Sequence, residues 1–197
     1  MSRGHPEHET EQGEAGFLEA YRARRDKYPK AANTADVALF TDAPDGPALL
    51  LVRRGGHPFR GRWALPGGFL DVGEGDSGQG EDLETCARRE LAEETGIRVE
   101  PGRLEQLGTY GDPGRDPRGR TISTVYVGHG SGWDEPAAAD DAAEARWVAV
   151  AELEGPGGPE LAFDHGGIVT DAIGWARRRG LIDWASQARQ RKGPPPL

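Results

Sequence analysis

A chain of 197 residues has room for one compact domain with short extensions, not for two full domains. Its 33 acids against 24 bases leave a net charge of −9, so attraction to the phosphates of nucleic acid or of an anionic membrane is excluded as the main activity, and an anionic substrate needs a cation beside it. The single cysteine, Cys86, excludes an internal disulfide framework and a cysteine-rich zinc site, and fits a reducing, cytoplasmic compartment.

Residues 1–13 are polar and charged, with no apolar signal segment, and read as a disordered tail. Residues 14–32 read as an amphipathic helix and linker: Phe17, Leu18, Tyr21 and Tyr28 recur at helical intervals until Pro29 stops the helix. Residues 33–180 form the main domain, and 181–197, ending Gly-Pro-Pro-Pro-Leu, form a C-terminal extension. Within the domain, Ala35–Phe40 and Ala48–Val52 are apolar runs joined across Asp45-Gly46, a hairpin signal. A helix is expected over Asp82–Thr95, capped by Asp82 and ended by Gly96. Further strands are expected over Leu104–Tyr110, Thr121–Val127 and Ala145–Val150. A last helix over His165–Arg179 carries Ile168, Ala172, Trp175 and Ala176 as its inward stripe. Strands, a helix, more strands and a helix specify a mixed α/β domain rather than a regular βαβ alternation.

The first chemical signal is Arg89-Glu90-Leu91-Ala92-Glu93-Glu94-Thr95-Gly96-Ile97. At 100° per residue, Glu90, Glu93 and Glu94 share about a third of the helix circumference, and three converging carboxylates suit a hard cation that bridges to phosphate. Arg89 lies one turn before Glu93, where a guanidinium can orient a carboxylate. Taken alone, the run also reads as a solvated helix held by i,i+4 pairs.

Upstream stands Trp63-Ala64-Leu65-Pro66-Gly67-Gly68-Phe69-Leu70-Asp71-Val72-Gly73-Glu74, and the two segments together strongly resemble the Nudix hydrolase family. The resemblance covers about Thr34 to Arg179. It implies an α/β/α sandwich with a mixed sheet, a magnesium (or manganese) cofactor, and hydrolysis of a nucleoside diphosphate linked to another moiety. Glu90, Glu93 and Glu94 would hold the metal with Glu74 and the Gly68 carbonyl, and Arg89 would orient the glutamates. The family's box places seven residues between its first Glu and the Arg, but fourteen separate Glu74 from Arg89. Counting back from Arg89, Gly75 and Glu81 also satisfy the pattern. The register with Gly68 and Glu74 is favoured because Leu-Pro-Gly-Gly is how the family enters the loop, which leaves residues 75–81 as a surface bulge.

Asp112 to Arg120 carries Arg115, Arg118 and Arg120 and looks like a loop of the ADP-ribose pyrophosphatase branch, as does Pro113, sixteen residues beyond Ile97. Those arginines, with Arg53 and Arg62, are the expected substrate contacts, although a flexible connection whose arginines offset nearby acids is the competing reading. Trp63 is either a stacking residue or a core anchor. Asp141 is the chosen general base, from the loop before the strand ending in Trp147, with Glu93 and Glu144 as alternatives. Leu161-Ala162-Phe163-Asp164-His165 resembles a group of Nudix-type regulators whose extra DNA-binding domain does not fit in the residues after Arg179. The expected reaction is ADP-ribose to AMP and ribose 5-phosphate. The alternatives are other nucleotides (oxidised deoxynucleoside triphosphates, NADH, nucleotide sugars) or a noncatalytic ADP-ribose sensor. The expected partner is a small nucleotide, with no nucleic acid and no membrane, and the resemblance allows a homodimer.

Overall fold

The computed structural model describes residues 16, 20–21, 30–73, 80–130, 134–140 and 142–182. Of the expected N-terminal helix only Gly16, Ala20 and Tyr21 are described, and they are helical; Glu74 and Asp141 lie outside the described residues.

The two apolar runs form the expected hairpin, β1 (Ala32–Ala43) and β2 (Gly46–Arg54), paired antiparallel from Phe40↔Leu49 to Ala43↔Gly46. Both strands are almost continuously buried, because the sheet is covered on both faces. Alternate residues part company. Val37, Leu39 and Leu50 face one core with Cys86, Ala87 and Leu91, whereas Ala38, Phe40, Leu49 and Leu51 face the other with Ile168, Ala172 and Trp175. The result is an α/β/α sandwich. Its sheet is mixed, since β1 runs parallel to β6 (Thr121–Gly130) while its other pairings are antiparallel. β5 (Glu105–Tyr110) flanks β6, and β7 (Ala142–Ala149) lies against β2.

The helix α1 (Leu83–Thr95) begins and ends where its sequence dictates. The Asp82 side chain accepts the Thr85 N–H at 2.9 Å, and Gly96, at φ 74°, returns its N–H to the Ala92 carbonyl. After β7 come a single turn, α2 (Val150–Leu153), and then α3 (His165–Arg178), which buries the expected stripe together with Val169 and Ile173.

Two strands were not legible in advance, β3 (Trp63–Ala64) and β4 (Gly67–Phe69). They are too short and too interrupted by Pro66 and glycines to show a period-two pattern. They matter for the site, because β3 pairs with the end of β2 and β4 with the start of β1, so the Leu65-Pro66 link crosses between the two strands. The Pro66 carbonyl is tied to the Val37 N–H at 2.9 Å. β4 brings Gly68 against α1, where a Cβ would lie 2.4 Å from the Glu90 carboxyl carbon. Any larger residue there would push the Glu90 carboxylate aside.

Candidate functional site

Arg89 is the hub of the α1 side. Its Nε and Nη2 donate to both oxygens of Glu81 (3.0 and 2.6 Å), and its Nη1 donates to Glu90 (2.8 Å) and Glu93 (2.9 Å). Nη2 also reaches the Phe69 carbonyl at 3.2 Å, which ties the hub to β4. Arg89 holds the Glu81 carboxyl far below the carboxylate range, at about 2, and its own basicity is raised in return. Glu90 shifts the other way because burial penalises its charge. Glu94, 7% exposed, accepts the Gly67 N–H at 2.9 Å. Cys86, beneath this cluster, is a packing residue whose thiol burial pushes up to about 12.

The structure corrects the part that the favoured register gave to Glu81. The favoured register places that residue in a surface bulge, yet it accepts three hydrogen bonds from Arg89, and its side chain is only 13% exposed. It also closes the loop that precedes it: the Glu81 N–H donates to the Asp71 carbonyl (2.9 Å) and the Asp71 N–H to Glu81 Oε1 (3.0 Å). Gly80, at φ 63°, fits this closure only as glycine, since a Cβ would meet the Asp71 carbonyl at 1.9 Å. The chain therefore leaves β4 and returns to the same point at Glu81. The sequence signal for Glu81 was its spacing from Arg89.

Opposite α1 stands an aromatic and cationic wall. A cavity of about 240 Å³ runs between the two and is lined by Glu90, Glu94, Arg53, Arg54, Arg115 and Arg118, among others. Arg115, its side chain 5% exposed, forms a bidentate pair with Asp164 (2.7 and 2.8 Å) just ahead of α3. Arg118 pairs with Asp116 and lies 5.0 Å from the Phe69 ring centroid and 5.7 Å from that of Phe163. Burial of Asp116 opposes its charge, but the hydrogen bonds from Arg118 outweigh it and keep the carboxyl below its usual range.

Two expected contacts do not line this cavity. Arg62 pairs with Glu160 and lies over Phe59, and Arg120 donates to the Gly111 carbonyl. Arg54 takes a place on the wall that the sequence left undecided. Trp63 packs against the α3-side core and carries the Arg146 guanidinium 4.7 Å from its ring centroid, a core anchor rather than a stacking platform in the cavity.

Asp140 also lines the cavity, in a left-handed backbone conformation (φ 53°) uncommon for a residue other than glycine. Its loop is fastened to the end of α1 by Ala137 N–H to the Thr95 carbonyl and Ala139 N–H to the Glu94 carbonyl. Asp36, Phe163 and His165 also line the cavity and had no site role from the sequence, where Phe163 and His165 stood only in the regulator-like segment. Asp36 accepts the Ser123 hydroxyl, both side chains being buried.

The donor set fits a hard divalent ion by charge and chemistry. Glu81, Glu90 and Glu93 share one guanidinium and Glu94 stands beside them, all offering oxygen. Among the described residues no three acidic, histidine or cysteine side chains are closely enough grouped to enclose an ion as they stand. Arg89 fills the space between Glu90 and Glu93.

A family model described as the NUDIX domain matches residues 32–169. The chain is 41% identical over 127 residues to an ADP-ribose pyrophosphatase of Methanocaldococcus jannaschii, covering 64% of this chain and 66% of that protein. It is 33% identical over 160 residues to an ADPR responsive transcriptional repressor, NtrR, of Acinetobacter baylyi, covering 81% and 59%. The chain thus spans less than two thirds of each of these relatives. Among solved structures, the NUDIX domain of Shewanella oneidensis NrtR complexed with ADP ribose superposes with a TM-score of 0.68 at 33% identity, covering 85% of this chain and 99% of that one.

Proposed function

The chain belongs to the NUDIX domain family, and from that premise we propose that it is a divalent-metal-dependent hydrolase that splits ADP-ribose into AMP and ribose 5-phosphate. The observation that carries the reading is the cavity with Glu90 and Glu94 on one wall and four arginines on the other, the complement of a metal-bound diphosphate. The relative named as an ADP-ribose pyrophosphatase and the ADP-ribose-bound NUDIX domain support the substrate.

In this reading Glu90, Glu93 and Glu94 hold magnesium or manganese, with Glu81 in the place given to Glu74 and the Gly68 carbonyl alongside. Bound there, the cation would neutralise diphosphate charge and acidify a water. Arg89 fixes the rotamers of Glu81, Glu90 and Glu93, and the Gly67 N–H fixes Glu94. Arg118 and Arg115 meet the phosphates, Arg53 lies at the rim, and Phe69 and Phe163 offer ring faces. As water attacks phosphorus and the bridging P–O bond breaks, a carboxylate of residues 140–141 accepts the water's proton. Asp141 keeps that proposed role, and Asp140, which lines the cavity, competes for it.

The test is product chromatography with ADP-ribose, NADH, diadenosine polyphosphates, nucleotide sugars and oxidised deoxynucleoside triphosphates, with magnesium and with excess chelator. AMP and ribose 5-phosphate formed from ADP-ribose only with metal is the expected result. The repressor relative favours one second reading, an ADP-ribose sensor. Tight binding without products would select it. Among the described residues no helix is long and apolar enough to cross a membrane.

A further inference from the structure

His165 opens α3 at the inner end of the cavity, and the reaction outlined above leaves it without a role. Its side chain is folded away from bulk solvent, the residue being 4% exposed, and its ring lies tilted 5.4 Å from that of Phe163. Nδ1 accepts the Leu65 backbone N–H at 3.0 Å. An imidazole nitrogen that accepts carries no proton, so the ring's proton sits on Nε2. Burial depresses the ring's basicity, which keeps this a neutral donor near pH 7.

Nε2 has no hydrogen-bond partner among the described residues. It is not sealed in either: Arg146 Nε is the side-chain polar atom there that is both enclosed and unpartnered. The cavity is lined by His165. A buried N–H facing a cavity calls for an acceptor inside it.

The place of that acceptor follows from two backbone N–H groups on either side of Pro66, at the link between β3 and β4, those of Leu65 and Gly67. The first N–H is taken by His165 and the second by Glu94. The imidazole therefore lines one cavity with Glu90 and Glu94, and with Arg53, Arg54, Arg115 and Arg118.

We propose that His165 is a specificity-determining residue whose neutral Nε2–H donates a hydrogen bond to a phosphate oxygen of the bound diphosphate. The inference rests on the diphosphate reading of the cavity but not on hydrolysis. A neutral donor adds direction without adding charge to a wall on which Arg115 and Arg118 are already paired with aspartates.

The competing explanation is that the imidazole only anchors Leu65. His165→Asn and His165→Gln separate the two, because Asn keeps an acceptor near the Nδ1 position and loses the distal donor, whereas Gln keeps a distal donor and loses the acceptor. Affinity for α,β-methylene ADP-ribose and for inorganic pyrophosphate, each with magnesium, is measured by calorimetry beside the melting temperature. The expected result is a His165→Asn protein that melts near wild type but binds both probes about ten- to a hundredfold more weakly. His165→Gln is expected to melt lower and, while folded, to bind more tightly than the Asn variant. Wild-type affinity in His165→Asn, affinity losses that track melting temperature in both variants, or a wild type that binds neither probe would each overturn the proposal. Wild type that binds pyrophosphate but cleaves no ADP-ribose, with binding lost in His165→Asn, would sink the hydrolase reading and leave the donor standing.

Discussion

On the α1 wall one guanidinium serves three carboxylates, whereas on the facing wall the cavity-lining arginines of the Asp112–Arg120 loop each have an aspartate of their own. The first arrangement leaves negative charge uncompensated in a half-buried setting, which costs stability until a cation arrives. The second is close to neutral by itself. Its aspartates hold the guanidinium planes of Arg115 and Arg118 in place before any ligand enters, so less ordering remains for a phosphate to impose. One wall is built to need an ion and the other to be ready for an anion. Breaking each should therefore have different consequences.

The largest effect is expected on the ion-demanding wall. Glu94→Gln keeps the acceptor for the Gly67 N–H but removes a charge, so the fold should persist while metal-dependent turnover nearly vanishes. The loss should exceed the ~10–100-fold typical of outer-shell partners of a metal site. Metal titration by calorimetry together with product chromatography checks it, and turnover near wild type would remove Glu94 from the metal set.

Next come Asp140→Asn and Asp141→Asn, compared with each other. Loss of a positioned general base costs about a hundred- to ten-thousandfold in kcat. Whichever variant shows that drop with KM little changed holds the base, and the other should stay within a few-fold. If neither drops, the proton goes to Glu93 or Glu144.

On the anion-ready wall the expected losses are smaller and fall on KM. Arg118→Lys keeps the charge but gives up the fork to Asp116 and the placement between Phe69 and Phe163. A rise of about tenfold in KM with kcat nearly unchanged is expected, as for loss of one charge-assisted hydrogen bond. Arg120→Ala, away from the cavity, should be kinetically silent. Steady-state kinetics on ADP-ribose decides both, and equal effects of the two substitutions would contradict the assignment of the wall.

How far the sequence could be read follows the same division. α1, its Asp82 and Gly96 ends, the hairpin and the three carboxylates on one face all come from local rules of spacing and capping, which a sequence displays directly. The facing wall is assembled from β2, the 112–120 loop and the residues ahead of α3, far apart in the chain, so choosing among its arginines had no local signal. Arg62 and Arg120 looked equivalent to Arg53 and Arg118 until β3 and the loop turned them aside. Asp36 and His165 had no site role from the sequence, because their place on the cavity is set by tertiary packing and not by any local pattern. The glutamate register was open for a different reason: two Gly-to-Glu spacings satisfied the box, and the closure between Asp71 and Glu81 is a tertiary contact that no local pattern displays.

The last comparison tests that closure. Shortening the loop cannot do so, since deleting residues 74–80 and deleting residues 75–81 yield the same polypeptide. Point substitutions can: Glu81→Gln should lower turnover about 10–100-fold by releasing Arg89, and Glu74→Gln should do less. A stability measurement separates this from any effect on metal. Glu81 titrates at about 2 in the folded protein against an ordinary 4.5, so its stabilisation is present above pH ~4.5 and fades as pH falls toward ~2. The upper bound of that contribution is ~3 kcal/mol, reduced to about 1–2 kcal/mol because Arg89 is 32% exposed and solvent screens the pair. Denaturant melts in chelator at pH 7 should therefore show Glu81→Gln less stable than wild type by that amount. The gap should narrow steadily between pH 4.5 and pH 3. A constant gap across that range would mean that Glu81 contributes through its shape and its bond with Asp71 rather than through its charge on Arg89.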